Sequence, residues 1–270
     1  MFNAKNGSVA IGNDRMSYVS FGRGQKNLVI LPGLSDGLAT VKGKALALAA
    51  PYRLFFEKYK VYMFSRRDGL ERGTSIRDMA RDQAEAMKQL GVDRTSVLGV
   101  SQGGMIAQYL AIDHPDMVDR LVLAVTAPCI NEIAKKRIDS WIGFAKEGNH
   151  KGLMVDTAEN SYSPQYLVKY RGIYPLIGLI GRPANYERFY ANAEAILSFD
   201  ALDELEKIQC PTLIIAGEKD KIVGLQSSYD LQSRIKDSSL FIYKGLGHGA
   251  YEEAKDFNRR VFAFLESNIG

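Results

Sequence analysis

The sequence predicts an α/β protein: a doubly wound, mostly parallel sheet with a helical cap inserted late in the chain. Three observations lead there. Short β-branched runs recur, each ending in glycine or turn residues. Longer stretches of helical period follow them. One segment, from about 129 to 199, breaks the alternation and holds no strand-like run. Near-continuous apolar strands are buried on both faces, as parallel sheets require.

Taken in order, residues 8–11 and 16–21 flank Gly12-Asn13-Asp14 and read as an antiparallel hairpin at the sheet edge. Residues 27–31 run into Pro32-Gly33, and 60–64 into Arg66-Arg67-Asp68-Gly69. Ser75, with Asp78 three residues on, caps a helix whose Ile76, Met79, Ala80, Met87 and Leu90 keep period until Gly91 stops it. Residues 96–100 end at Ser101, and 102–112 continue as a helix that stops near Pro115. Residues 121–125 lead into Thr126-Ala127-Pro128, 212–215 into Gly217 to Asp220, and 240–243 into Gly245 to His248. Residues 252–266 read as a terminal amphipathic helix. The expected division is a core of 1–128 and 200–270, with 129–199 as the cap. Sites in such a sheet lie at the carboxyl ends of the strands.

Composition sets the class. The 270 residues are 46% hydrophobic and 24% charged, the balance of an ordinary globular chain able to bury a large core. Net charge is +4, from 35 basic and 31 acidic residues that are interspersed. The densest basic runs, Arg66-Arg67 and Lys135-Lys136-Arg137, read as solvated faces, too small for a nucleic-acid footprint. Two cysteines, Cys129 and Cys210, make no disulfide framework. The first residues lack an apolar signal core, and the most apolar stretch, 173–180, is interrupted by Pro175 and Gly178 and is too short to span a bilayer. The expectation is a cytoplasmic protein with a small-molecule substrate and neither a nucleic-acid partner nor a membrane span.

The chemistry is carried by Gly99-Val100-Ser101-Gln102-Gly103, a G-x-S-x-G pentapeptide between an apolar strand and a helix. That context makes it a nucleophile elbow, a turn so tight that glycines must flank it. A serine hydroxyl needs a base to take its proton. Of the three histidines, His114 closes the helix that Ser101 begins and reads as structural, and His150 reads as an exposed cap residue. His248 follows the last strand on a glycine-flanked loop at the carboxyl edge, so it is the candidate base. Asp220, after the preceding strand, is the candidate acid that orients the imidazole. Glu218 competes with it, and Asp200 and Asp203 are remoter choices. For the oxyanion hole, one backbone N–H comes from Gln102 and the other from the loop 32–37, with Leu34 as donor and Gly33 permitting close approach.

With these residues assembled, the chain resembles the cap-bearing, esterase-like branch of the α/β-hydrolase superfamily. The resemblance spans strand order, elbow, Asp220 and His248. It implies a Ser101–His248–Asp220 triad, oxyanion donors at Leu34 and Gln102, and no metal or organic cofactor; no Cys/His ligand cluster is visible. The chain departs from it at Pro32-Gly33, where many relatives carry His-Gly, which puts the side-chain support beneath that loop in question. Relatives that open epoxides or remove halides use aspartate at the elbow, so Ser101 argues against those reactions. The expected activity is hydrolysis of a small to medium apolar carboxylic ester through an acyl-enzyme. The alternatives are carbon–carbon bond hydrolysis, thioester hydrolysis or acyl transfer on the same triad, and a non-catalytic ligand-binding protein of the same fold. In the cap, Tyr162, Tyr166, Tyr170 and Tyr174 recur every fourth residue after a helix start at Ser163-Pro164, and with Trp141 they are candidates to line an apolar pocket.

Overall fold

In a computed structural model, residues 2–178 and 181–267 are described; the last two residues of the apolar stretch 173–180 therefore lie outside the described residues. Eight strands form one sheet: β1 (Lys5–Ile11), β2 (Asp14–Phe21), β3 (Lys26–Leu31), β4 (Tyr59–Arg67), β5 (Thr95–Val100), β6 (Val118–Ala124), β7 (Thr212–Gly217) and β8 (Ser238–Tyr243). Their order across the sheet is β1-β2-β4-β3-β5-β6-β7-β8. The hairpin β1–β2 pairs antiparallel with itself and with β4, while β4 through β8 run parallel.

Alternation in the central strands explains the two-sided core. Val29 and Leu31 of β3 point to one face, with Val97, Leu121, Leu123 and Ile214. Leu28 and Ile30 point to the other, with Leu98, Val100, Val122 and Ile215. Such side chains are excluded from water on both sides, so these strands read as unbroken apolar runs. On the first face lie α2 (Ile76–Gln89) and α3 (Gln102–Asp113), through Met79, Met87, Ile106 and Leu110. Ser75 and Asp78 form a reciprocal capping box at the start of α2, and Gly91, at φ +65°, lets the chain turn away after its end. On the second face lie α1 (Ala45–Ala49) and the terminal helices.

Between β6 and β7 the described regular elements are helical: α4 (Glu132–Lys146), α5 (His150–Ser161), α6 (Pro164–Leu167), α7 (Tyr174–Ile177) and α8 (Glu187–Leu197), with 3₁₀ turns. The two ends of this insertion meet in an isolated antiparallel bridge between Cys129 and Asp200, flanked by Ile130 N–H to the Phe199 carbonyl (2.9 Å) and Ala201 N–H to the Pro128 carbonyl (2.8 Å). After β7 come α9 (Gln226–Arg234), α10 (Ala250–Glu253) and α11 (Phe257–Leu265).

Four expectations need correction. The terminal amphipathic segment is two helices, α10 and α11, because the chain turns extended at Ala254. The recurring tyrosines share no single helix: α6 begins after Tyr162, and α7 begins only at Tyr174. Pro164 cannot supply the N–H that would extend α6 backwards, and Pro175 likewise restarts the chain at α7. His150 is not exposed but 2% accessible, its ring against that of Tyr186 at 6.1 Å. Arg66 is no solvated charge either: it is 2% accessible, at the carboxyl end of β4, surrounded by acceptors from two other segments, the loop 32–37 and the start of α3.

Candidate active site

The site begins with strain at Ser101. It joins β5 to α3 with φ +54° and ψ −120°, a conformation that a non-glycine residue keeps only when its surroundings impose it. Here Ser101 N–H donates to the Ala124 carbonyl (2.9 Å) and its own carbonyl accepts from the Thr126 hydroxyl (2.7 Å). Gly103 makes the turn possible, since a Cβ there would lie 1.9 Å from the Leu31 carbonyl oxygen. The hydroxyl is thereby lifted off the sheet at the N-terminus of α3.

His248 reaches it from the loop after β8. Its Nε2 lies 3.0 Å from Ser101 Oγ, and its Nδ1 lies 2.8 Å from Asp220 Oδ2. An ionised carboxylate only accepts, so Nδ1 carries the proton and Nε2 is left to accept from the serine hydroxyl. Asp220 Oδ1 also accepts from the N–H groups of Ile222 (2.8 Å) and Val223 (3.0 Å). Burial pushes the Asp220 carboxyl up, but the facing imidazole and these donors outweigh it and hold it below its ordinary value. Among the other acids considered, Glu218 accepts from Gly245 N–H (3.0 Å), Asp200 sits at the bridge to Cys129, and Asp203 is exposed. His114 caps the far end of α3.

The loop 32–37 lies against the serine: a Cβ on Gly33 would be 3.3 Å from Ser101 Cβ. Leu34 opens a 3₁₀ turn and Gln102 opens α3. The first N–H groups of a helix have no acceptor inside it, so both positions present free-standing donors beside Ser101.

Ser101, His248, Gly33 and Leu34 border a cavity of about 530 Å³. Trp141, Tyr162, Tyr166, Tyr170 and Tyr174 all line it, although no two of them share a helix of the insertion. Tyr162, Tyr166 and Tyr170 form a stack, with successive centroids 4.9 Å apart. Trp141 Nε1 donates to Asp156 (2.8 Å) and Tyr174 to Glu159 (3.1 Å). The insertion also grips the histidine loop: Gly249 N–H donates to the Ser161 carbonyl (2.7 Å), and Glu253 accepts from both the N–H (2.7 Å) and the hydroxyl (2.6 Å) of Ser163. Glu252, bonded by the Tyr162 hydroxyl, is the one acidic side chain among the described lining residues, which include no lysine or arginine. Sequence reasoning passed over Tyr251 and Glu252, which stand three and four residues past the loop histidine and whose nearness to it was the available signal. It also passed over the Arg66–Asp36–Arg188 cluster beneath the loop 32–37.

A sequence model described as the alpha/beta hydrolase fold matches residues 27–146. A relative named for carbamate hydrolysis, RutD of Caulobacter sp. (strain K31), is 27% identical over 256 residues, 86% of this chain and 89% of its own. A 2-hydroxy-6-oxononadienedioate/2-hydroxy-6-oxononatrienedioate hydrolase of Pseudomonas putida is 28% identical, over 93% of this chain and 92% of its own. Among solved structures, the α/β hydrolase MGS-M2 from a Medee basin deep-sea metagenome library superposes with a TM-score of 0.86 at 21% identity, over 97% of this chain and 98% of that one. Strand order, elbow and these matches agree: the chain has the α/β-hydrolase fold.

Proposed function

We propose that this protein is a serine hydrolase that cleaves small to medium, apolar, uncharged carboxylic esters through an acyl-enzyme. The observation that carries the reading is the hydrogen-bonded line from Ser101 Oγ through His248 to Asp220, opening on a cavity lined mainly by apolar and aromatic side chains. His248 takes the serine proton as Oγ attacks the carbonyl. The N–H groups of Leu34 and Gln102 hold the oxyanion, and His248 then protonates the leaving alcohol. Water repeats the sequence to free the acid. Segment 129–199 acts as the cap that supplies the acyl pocket.

The lining favours esters over the substrates of the carbon–carbon hydrolase relative. A dienedioate carries two carboxylates, and no lysine or arginine is among the described lining residues. Carboxylates buried there gain no counter-charge and face Glu252. Thioester hydrolysis and acyl transfer use the same machinery and are separated only by substrate.

The test is a panel of neutral nitrophenyl esters, a hemisuccinate ester of matched size, thioesters and diketones. The neutral esters are expected to give the highest kcat/KM, and Glu252→Gln to narrow the gap to the hemisuccinate. Ser101→Ala is expected to lose roughly 10⁴-fold or more in rate while keeping its fold. A Ser101→Ala protein with a tenth of the parent activity, or a parent that a fluorophosphonate probe leaves unlabelled, would sink the reading. Faster turnover of diketones would move it to carbon–carbon hydrolysis.

A further inference from the structure

Arg66 sits where a surface charge is least expected. Its Nη2 donates both to the Pro32 carbonyl (2.7 Å) and to Gln102 Oε1 (2.9 Å). Its backbone N–H donates to Asp36 Oδ2 (3.0 Å), which also accepts from Arg188 Nη2 (2.6 Å). Arg188, on α8, donates further to the carbonyls of Asp36 (3.1 Å) and Arg66 (2.9 Å). Gln102 Nε2 donates to the Asn192 carbonyl (2.8 Å), also on α8, and Asn192 donates back to the Arg188 carbonyl (2.8 Å). Arg66, Asp36, Gln102 and Asn192 are each 2% accessible or less.

This network is costly to bury, and it stands beside two particular peptide segments. One guanidinium nitrogen joins the loop that carries the Leu34 N–H to the residue that carries the Gln102 N–H. Pro32 has only a carbonyl to offer, and that carbonyl is the one Arg66 holds. Two guanidinium groups against one carboxylate leave the cluster with a formal charge of +1 (two cations less one anion). In a low-dielectric setting, such a charge favours a nearby oxyanion. Burial pushes the Arg66 guanidinium down to about 10, with Asp36 pulling it up and Arg188 pushing it further down, so it remains protonated at neutral pH.

We propose that Arg66 is a positioning residue for the oxyanion hole: it sets the spacing of the Leu34 and Gln102 backbone donors by bridging Pro32 and the Gln102 side chain. The inference rests on the serine-hydrolase reading above. Because the donors are aligned for the tetrahedral oxygen and not for the planar carbonyl, Arg66 acts on kcat and leaves substrate binding nearly alone.

The experiment compares Arg66→Met, near in volume but uncharged, with Gln102→Met, which keeps the backbone donor and the Asp36–Arg188 pair. The readouts are kcat, KM and the affinity of a trifluoromethyl ketone. Ser101 Oγ adds to that ketone's carbonyl carbon, the serine proton passes to His248, and the carbonyl oxygen becomes the bound oxyanion. Arg66→Met is expected to lower kcat by roughly 10²-fold, as loss of an oxyanion donor does, with KM changed by less than about threefold. Ketone affinity is expected to fall in step with kcat/KM. Gln102→Met lowers both in parallel, and the double variant is little worse than Arg66→Met, because both remove one bridge. A lower melting temperature with unchanged kcat and ketone affinity would assign Arg66 to stability alone and overturn the proposal. An effect confined to KM overturns it equally. Should Arg66→Met fail to fold, Gln102→Met decides on the same readouts. Ser101→Ala separates the two levels: if it stays active, the underlying reading fails, and if it is inactive while both methionine variants match the parent, only the role of Arg66 does.

Discussion

The choice of acid in the proposed triad turns on two residues that stand two positions apart in the chain. Glu218 and Asp220 leave the same strand, yet only Asp220 meets the imidazole, at 2.8 Å, while Glu218 turns to Gly245. Asp220→Asn is therefore expected to lower kcat by roughly 10⁴-fold, since an amide donates where a carboxylate accepts and the imidazole tautomer inverts. Glu218→Gln is expected to stay near the parent. Burial raises the Asp220 carboxyl, but the facing imidazole and two N–H donors hold it below the ordinary carboxylate range, so it stays a carboxylate that can orient the imidazole at neutral pH. Steady-state profiles of both variants check this, and an unimpaired Asp220→Asn would return the role to another acid. That Ser101, Asp220 and His248 would meet was legible because the elbow has a motif, histidines are few and both partners lie on loops that follow strands. Arg66 was not, because a pair of adjacent arginines looks the same on a surface as at a strand end where Asp36, Pro32 and Gln102 converge. His150 was misjudged for the same reason, its partner Tyr186 being far along the chain.

At the level of elements, strands were the easier part, since burial on both faces makes them apolar throughout; β3, β5 and β7 were visible within a residue or two of their ends. The tyrosine repeat was visible as a pattern but not as a shape, because Pro164 starts α6 after the first ring and α6 ends at Leu167, before the last two. Division changes what each ring does. Trp141 is 5% accessible and hydrogen-bonded, so Trp141→Ala is expected to cost roughly 3–5 kcal/mol of stability. Tyr170 is 41% exposed at the outer end of the stack. Tyr170→Ala is expected to cost little stability and to shift preference toward longer acyl groups, by about 1–3 kcal/mol per misfitted group. Melting curves and kcat/KM against acyl length separate the two effects. A Tyr170→Ala protein that melts early with an unchanged chain-length profile would make the stack a packing feature only.

Over the whole molecule, the crossing of β3 and β4 in the sheet order was beyond the reach of periodicity, which reports faces and not neighbours. The same long-range closure shows in how the C-terminal helix is held. Glu266, just past α11, accepts from Lys26 of β3 (2.8 Å), Lys58 (2.6 Å) and the Tyr59 hydroxyl of β4 (2.6 Å). Burial raises the Glu266 carboxyl, but the two lysines and the tyrosine prevail and bring it from 4.5 down to about 2. A carboxyl depressed on folding stabilises the native state above its unfolded value and loses that contribution as pH falls through its folded value. The window is thus from about pH 4.5 down to about pH 2. Both lysines are more than half exposed, so salt screens the pairs and each is worth only about 0.2–1 kcal/mol. Glu266→Gln is accordingly expected to lower the melting temperature by about 2–4 °C at neutral pH and low salt. The difference should shrink between pH 4.5 and 2, where the parent carboxyl becomes as neutral as the amide, and shrink also at 1 M salt. Calorimetric scans across that range test it. A gap that persists unchanged at pH 2 would mean that Glu266 holds the helix by shape and neutral hydrogen bonding, not by charge.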